Sequence, residues 1–302
     1  MIQLRGVYTA LVTPMKDNGD VNYDAFRELV RFQIEGGIHG LLPLGTTGET
    51  PTLLREEQDK LIKIAVEEAR GKLPVIAGTG SNSTHHTIEN TKRAKDLGAD
   101  AVLIVTPYYN KPNDAGILAH FEASAKAVDI PILVYNIASR TGRNITPDLM
   151  KKISHIPTII GVKESSGDIN QIGDMIHHVA APLKAAGRSF SILSGDDAYI
   201  LPLCAMGGDG IVSVVSNLVP ARVAALCRAC LSGNMEEARK LHYGLLPLFK
   251  GAFIDTNPIP IKTAMNWAGL NAGSLRLPLV SLDKNLEAPL KKALKDAKVD
   301  IK

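Results

Sequence analysis

The stretch Thr158-Ile159-Ile160-Gly161-Val162-Lys163-Glu164-Ser165-Ser166-Gly167-Asp168 runs from apolar residues to one lysine and then into a polar turn. Isoleucine and valine in an unbroken run suit a strand covered on both faces of a parallel sheet. Counting by twos puts Ile160 and Val162 on one face, and Ile159, Gly161 and Lys163 on the other. With both faces covered, Lys163 points into protein. Desolvation then disfavours its charged form and leaves a free amine able to attack a carbonyl. A lysine at a strand end can also snorkel to water, and this segment alone leaves both readings open.

Similar short apolar runs recur along the chain, at residues 7–12, 40–44, 74–77, 101–105, 131–135, 190–193 and 210–215. With residues 158–162 they make eight predicted strands. Amphipathic stretches lie between them. Phe26, Leu29, Val30 and Ile34 repeat at helical spacing, as do Leu61, Ile64, Ala65 and Ala69. Thr146-Pro147-Asp148 offers an N-cap followed by a proline at the first helical position, and Asp168 offers a second cap. Gly36-Gly37, Gly71 and Gly98 stand where helices are expected to end.

Eight alternating units in about 220 residues match the count and length of a (β/α)8 TIM barrel. A doubly wound open sheet fits less well, because no G-x-G-x-x-G follows the first strand. Beyond Val215 the strand signal fades into helices at 235–243, 259–268 and 286–297. The expected organisation is a catalytic barrel over 1–224 and a C-terminal helical extension over 225–302, packed on the barrel without a linker.

Composition narrows the function classes. The 302 residues are 45% hydrophobic and 22% charged, with a formal net charge of only +3, so a nucleic-acid or membrane-surface role has little support. The basic tail from Lys291 reads as a solvated helix face. No signal-peptide pattern opens the chain, and no apolar run approaches the roughly 18 residues of a membrane span. Three cysteines suit a reducing cytoplasm. Cys227 and Cys230 have C-x-x-C spacing but sit in a helical run without a second pair, which favours buried structural thiols over zinc.

In a (β/α)8 barrel, chemistry collects at the C-terminal ends of the strands. Strand two ends in Gly45-Thr46-Thr47-Gly48-Glu49, a turn able to direct amides and hydroxyls at an anion. Strand four ends in Thr106-Pro107-Tyr108-Tyr109-Asn110-Lys111-Pro112, where paired tyrosines suit an interface plug or a phenol for proton transfer. Strand five ends in Tyr135-Asn136, with Tyr135 inward beside Leu133 and within reach of Lys163 on the next strand. Arg140 follows in the loop and can grip a carboxylate through two N–H groups. Strand seven ends in Ser194-Gly195-Asp196-Asp197, and strand eight in Ile211-Val212-Ser213. The doublets His85-His86 and His177-His178 fall in helices and read as surface residues, not metal ligands. No cofactor motif appears, so the lysine amine itself must capture the electrophile.

Taken together, GTTGE at 45–49, PYYNKP at 107–112, YN at 135–136, GVKES at 161–165 and SGDD at 194–197 resemble the dihydrodipicolinate synthase and N-acetylneuraminate lyase family of pyruvate-dependent Schiff-base aldolases. The similarity runs over essentially the whole chain. It implies that Lys163 forms a covalent imine with pyruvate, with no cofactor and no metal. It also implies a proton relay of Thr47, Tyr109 and Tyr135, with Tyr109 entering a neighbouring subunit's site. Thr46 and Thr47 would hold the pyruvate carboxylate, while Gly195, Asp196 and the backbone at Val212 would border the substrates.

Ser139-Arg140-Thr141-Gly142 and the GTTGE loop point to the branch that condenses pyruvate with L-aspartate 4-semialdehyde, whose carboxylate Arg140 would bind. Aldolases of sugar acids, of the 2-keto-3-deoxygluconate or N-acetylneuraminate type, are the alternative. The resemblance further implies a cytoplasmic homotetramer, a dimer of dimers. Two departures stand out. Ala138 replaces the usual proline before the arginine, which loosens that loop without removing its charge. Arg55, Gln58 and His86 stand where lysine-inhibited members carry histidines and a glutamate, although Asn82 and Tyr108 are kept. His86 removes the natural partner of a lysine ammonium, so weak or absent inhibition by lysine is expected.

Overall fold

A computed structural model describes residues 2–301. Eight parallel strands alternate with helices: β1 Gly6–Ala10, β2 Gly40–Leu42, β3 Ile76–Gly78, β4 Ala101–Val105, β5 Ile132–Asn136, β6 Ile159–Glu164, β7 Ser191–Ser194 and β8 Gly210–Ser213. Their order in the sheet is β2-β1-β8-β7-β6-β5-β4-β3. The remaining gap closes through the parallel bridge Leu41–Val75, where the Leu41 N–H donates to the Pro74 carbonyl at 3.0 Å. The TIM barrel read from the sequence is therefore the fold, and each predicted strand lies within a few residues of an observed one.

Side-chain alternation sorts the core into two layers. Along β4, Ala101 and Leu103 face the barrel interior while Val102 and Ile104 pack against the surrounding helices. Along β5, Leu133 and Tyr135 point in, and Ile132 and Val134 point out. Leu4, Tyr8, Leu42, Ile76, Leu193 and Val212 complete the filled interior. A parallel barrel needs both layers because each strand is buried on both faces.

One strand breaks the expected alternation. Ile160 lies in the barrel interior and Val162 in the outer layer, although simple parity puts them on one face. The cause is a bulge: Ile132 pairs with Ile159 but Leu133 pairs with Gly161, so β6 spends one extra residue. Gly161 suits this point because a Cβ there would sit 2.2 Å from the Ser191 carbonyl oxygen. After the bulge the register recovers, and Tyr135 stands opposite Lys163. The conclusion that Lys163 faces inward holds; the faces assigned to Ile159, which packs in the outer layer, and to Ile160 do not.

The helix starts follow the expected chemistry. The Thr146 hydroxyl accepts from the Leu149 N–H at 3.3 Å, with Pro147 next in line. The Asp168 carboxylate accepts from the Asn170 and Gln171 amides. Gly37, Gly71 and Gly98 adopt the left-handed backbone expected just past helix ends. The C-terminal helices are Pro220–Leu231, Met235–Gly251, Ile259–Trp267 and Lys284–Asp296. The boundary expected at 224/225 falls inside the first of these. Leu248, Phe249, Ile261, Met265 and Leu290 join the same apolar cluster as the outer face of the strands. Cys204, Cys227 and Cys230 are free and buried, and hydrogen bonding among them, reinforced by burial, pushes the Cys204 and Cys230 thiols above the ordinary thiol range. Among the described residues, no helix is long and apolar enough to cross a membrane.

Candidate active site

The C-terminal ends of β2, β3, β4 and β5 border a cavity of about 490 Å³, lined by Thr46, Leu103, Tyr108, Tyr135, Arg140 and Asn257 among others; Lys163 and Thr47 lie behind this lining, against Tyr135 and Asn257. Lys163 is 5% exposed, and its Nζ lies 4.0 Å from the centroid of the Tyr135 ring. Among the described residues it joins no ion pair, and its ammonium or amine sits over the face of a phenol.

Local structure aims that side chain. Glu164, next in sequence and 1% exposed, points away into a polar cage. Its carboxylate accepts from the Ser166 amide at 2.7 Å, the Asn136 side chain at 2.9 Å and the Gln171 side chain at 3.3 Å. Burial pushes the Glu164 pKa above the usual carboxylate range, against the pull of these donors. On the other side, a Cβ at Gly195 would sit 2.9 Å from Lys163 Cε and 1.8 Å from Ser165 Oγ. Gly195 thus leaves the room that the lysine stem occupies.

The threonine loop is held from behind. Thr47 is 2% exposed and its Oγ1 accepts from the Asn257 side-chain amide at 2.9 Å. Glu49 closes the loop in a left-handed conformation, φ 55°, unusual for a residue with a side chain. Its carboxylate, fully buried, pairs with Lys262 at 2.8 Å and accepts from the Arg276 backbone amide at 3.0 Å. Lys262 also donates to the Thr13 and Ser274 carbonyls. Burial pushes Lys262 below the ordinary lysine value, opposed by the neighbouring Glu49. None of Asn257, Lys262 and Arg276 was singled out by sequence reasoning. The signal was present in Ile259-Pro260-Ile261-Lys262, a lysine closing an apolar run much as Lys163 does.

The other candidates lie at varying distances from this centre. Arg140 sits on the short helix Ala138–Thr141 and donates to the Asn257 carbonyl at 3.4 Å. With Ala138 at its start, that turn is closed by the Gly142 amide donating to the Ala138 carbonyl at 2.8 Å. Tyr109 is 88% exposed and stands outside the cavity of its own chain. Val212 is buried in the barrel interior, opposite Tyr8. Asp196 caps the turn Asp197–Tyr199 by accepting from the Ala198 amide, and does not border the cavity. Asp197 is spent on β8, accepting from Ser213, Val214 and Val215, and burial raises its pKa to about 6. His85, His86, His177 and His178 are exposed on helices. Among the described residues, no group of three or more His, Cys, Asp or Glu could hold a metal ion.

The chain is similar to known proteins along nearly all of its length. A family model described as the dihydrodipicolinate synthetase family matches residues 3–297. A 4-hydroxy-tetrahydrodipicolinate synthase of Protochlamydia amoebophila is 50% identical over 293 residues, covering 97% of this chain and 96% of that one. The crystal structure of dihydrodipicolinate synthase from Aquifex aeolicus superposes with a TM-score of 0.92 at 44% identity, over 99% of this chain and 100% of that one. The chloride-inhibited dihydrodipicolinate synthase from Acinetobacter baumannii, complexed with pyruvate, gives 0.91 at 38% identity, over 98% of this chain and 99% of that one.

Proposed function

The chain belongs to the dihydrodipicolinate synthetase family, and on that premise we propose how its pocket works. It is a lyase that condenses pyruvate with L-aspartate 4-semialdehyde to give 4-hydroxy-tetrahydrodipicolinate, in lysine and diaminopimelate biosynthesis. The observation that carries the mechanism is the buried Lys163 amine, free of any ion pair among the described residues and set against Tyr135.

The amine lone pair of Lys163 adds to the keto carbon of pyruvate, and water leaves to form an imine. Thr46 and Thr47 hold the pyruvate carboxylate through hydroxyl and amide contacts. The imine nitrogen draws electrons from the methyl group, which loses a proton and becomes an enamine carbon. That carbon bonds to the aldehyde carbon of the second substrate, whose oxygen takes a proton to become a hydroxyl. The amine of the semialdehyde then attacks the imine carbon. The bond to Lys163 breaks, the six-membered ring closes and the lysine is restored. Tyr135, Thr47 and Tyr109 pass the protons. The imine serves as the electron sink, so this route calls for no cofactor.

Arg140 borders the cavity and supplies the cation for the semialdehyde carboxylate, which favours this reaction over cleavage of a sugar acid. Gly195, Asp196 and the Val212 backbone stand on the substrate side of β7 and β8 in this reading. A phenol 88% exposed in its own subunit supports a place for Tyr109 in a neighbour's pocket, and with it a dimer paired into a homotetramer. Three free buried cysteines support a reducing cytoplasm. Inhibition by lysine is weak or absent. Arg55 already pairs with Glu89, and Gln58 donates to the Thr50 and Leu53 carbonyls.

The test is a coupled assay of pyruvate with L-aspartate 4-semialdehyde, run beside 2-keto-3-deoxygluconate and N-acetylneuraminate. Turnover of the semialdehyde alone is expected. Faster cleavage of either sugar acid overturns the assignment.

A further inference from the structure

Thr47 belongs to the proposed proton relay, and the role assigned here to its neighbour Asn257 rests on that reading. A threonine hydroxyl has one hydrogen to give and two lone pairs to offer. In this fold one lone pair is already committed. The Asn257 Nδ2 donates to Thr47 Oγ1 at 2.9 Å, inside a contact where both residues are buried. Among the described residues Thr47 Oγ1 donates to nothing, so its hydrogen is unspent. That bond is also the only one made by the Asn257 side chain there, since its buried Oδ1 has no partner. The Asn257 carbonyl, in turn, accepts from Arg140. One residue of the C-terminal extension therefore touches both the relay threonine and the arginine assigned to the second substrate.

We infer that Asn257 is a positioning residue that sets the polarity of the relay: by donating to Thr47, it leaves the threonine hydrogen free to be passed toward the substrate. An amide and a carboxylate have nearly the same shape, but an ionised carboxylate only accepts. Asn257→Asp keeps the packing and reverses the hydrogen bond, so the Thr47 hydrogen is taken by the carboxylate and withdrawn from the relay. Asn257→Ala removes the anchor but leaves the hydrogen available. The inference ranks the larger truncation as the milder change. A purely structural role for Asn257 ranks them the other way.

The readout is exchange of pyruvate methyl protons for deuterium in heavy water, followed by proton NMR with pyruvate as the sole substrate. It reports imine and enamine formation without the semialdehyde, and thermal melting reports folding in parallel. We expect roughly 10-fold slower exchange for Asn257→Ala and roughly 100-fold slower for Asn257→Asp, within the usual range for lost acid–base help. Exchange in Asn257→Asp as fast as in Asn257→Ala, or faster, overturns the inference. If Asn257→Asp does not fold, Asn257→Ala decides alone: exchange at the wild-type rate overturns it. A wild-type chain that exchanges no methyl protons overturns the imine reading itself, and this inference with it.

Discussion

Lys163 and Lys262 close similar apolar runs, Ile160-Gly161-Val162-Lys163 and Ile259-Pro260-Ile261-Lys262, and both are buried, at 5% and 1% exposure. Their surroundings are opposite. Lys262 has a carboxylate at 2.8 Å and two backbone carbonyls, so each hydrogen of its ammonium is used. Lys163 has the face of a tyrosine and a cavity nearby. Each also sits near a buried glutamate. Glu49 points at its lysine, whereas Glu164 turns away into Ser166, Asn136 and Gln171. Burial alone does not make a nucleophile. The proposed mechanism adds a second condition, a counter-ion that is diverted elsewhere.

The contrast breaks most visibly at Lys163. Lys163→Ala is expected to cut turnover by at least about 1,000-fold while the chain still folds, as removal of a covalent nucleophile generally does. Treatment with pyruvate and borohydride, read by peptide mass mapping, should label Lys163 and leave Lys262 untouched. A label on Lys262 would erase the distinction between the two amines. At Lys262 the loss is one of stability. Lys262→Met strands the Glu49 carboxylate and is expected to cost about 3–5 kcal/mol in urea unfolding. Adding Glu49→Gln should return part of it.

Arg140 offers a sharper, smaller test, because the proposed reaction uses it as the cation for the semialdehyde carboxylate, and among the described residues it joins no ion pair. Arg140→Ala is expected to raise KM for the semialdehyde roughly 100-fold, a usual cost of truncating a charge-paired contact. Borohydride trapping with pyruvate should be unchanged. The smallest effect lies at Glu164. Its pKa is raised in the folded chain by burial, so between the unfolded and folded values the native state holds a proton that the unfolded state has released. Stability therefore falls as pH rises through that window and levels off above it. Glu164→Gln should flatten this slope, measured as melting temperature against pH.

Much of the scaffold was legible because a (β/α)8 barrel repeats its signal. Each strand is covered on both faces and each helix on one, so apolar runs and 3.6-residue spacing alternate along the chain. The strand ends then located Thr46, Tyr135, Arg140 and Lys163 around one region. What stayed hidden came from distance in sequence or from local irregularity. Asn257 and Lys262 reach the threonine loop across more than 200 residues, and no periodicity encodes such a contact. The misplaced face of Ile160 came from a bulge that hydrophobicity cannot register, because an isoleucine is equally at home in either layer. Asp196 was read from its place at a strand end, and the structure spends its carboxylate on a turn.

The extra residue in β6 also bears on transplanting this chemistry. A pleated ribbon has only two phases, and the insertion between Ile159 and Gly161 switches from one to the other just before the amine. Grafting the hexapeptide of β6 onto a straight strand of another barrel, matched at its first residue, would turn the amine toward the outer helices. An engineer must align the graft from its carboxyl end, or carry the kink along with it.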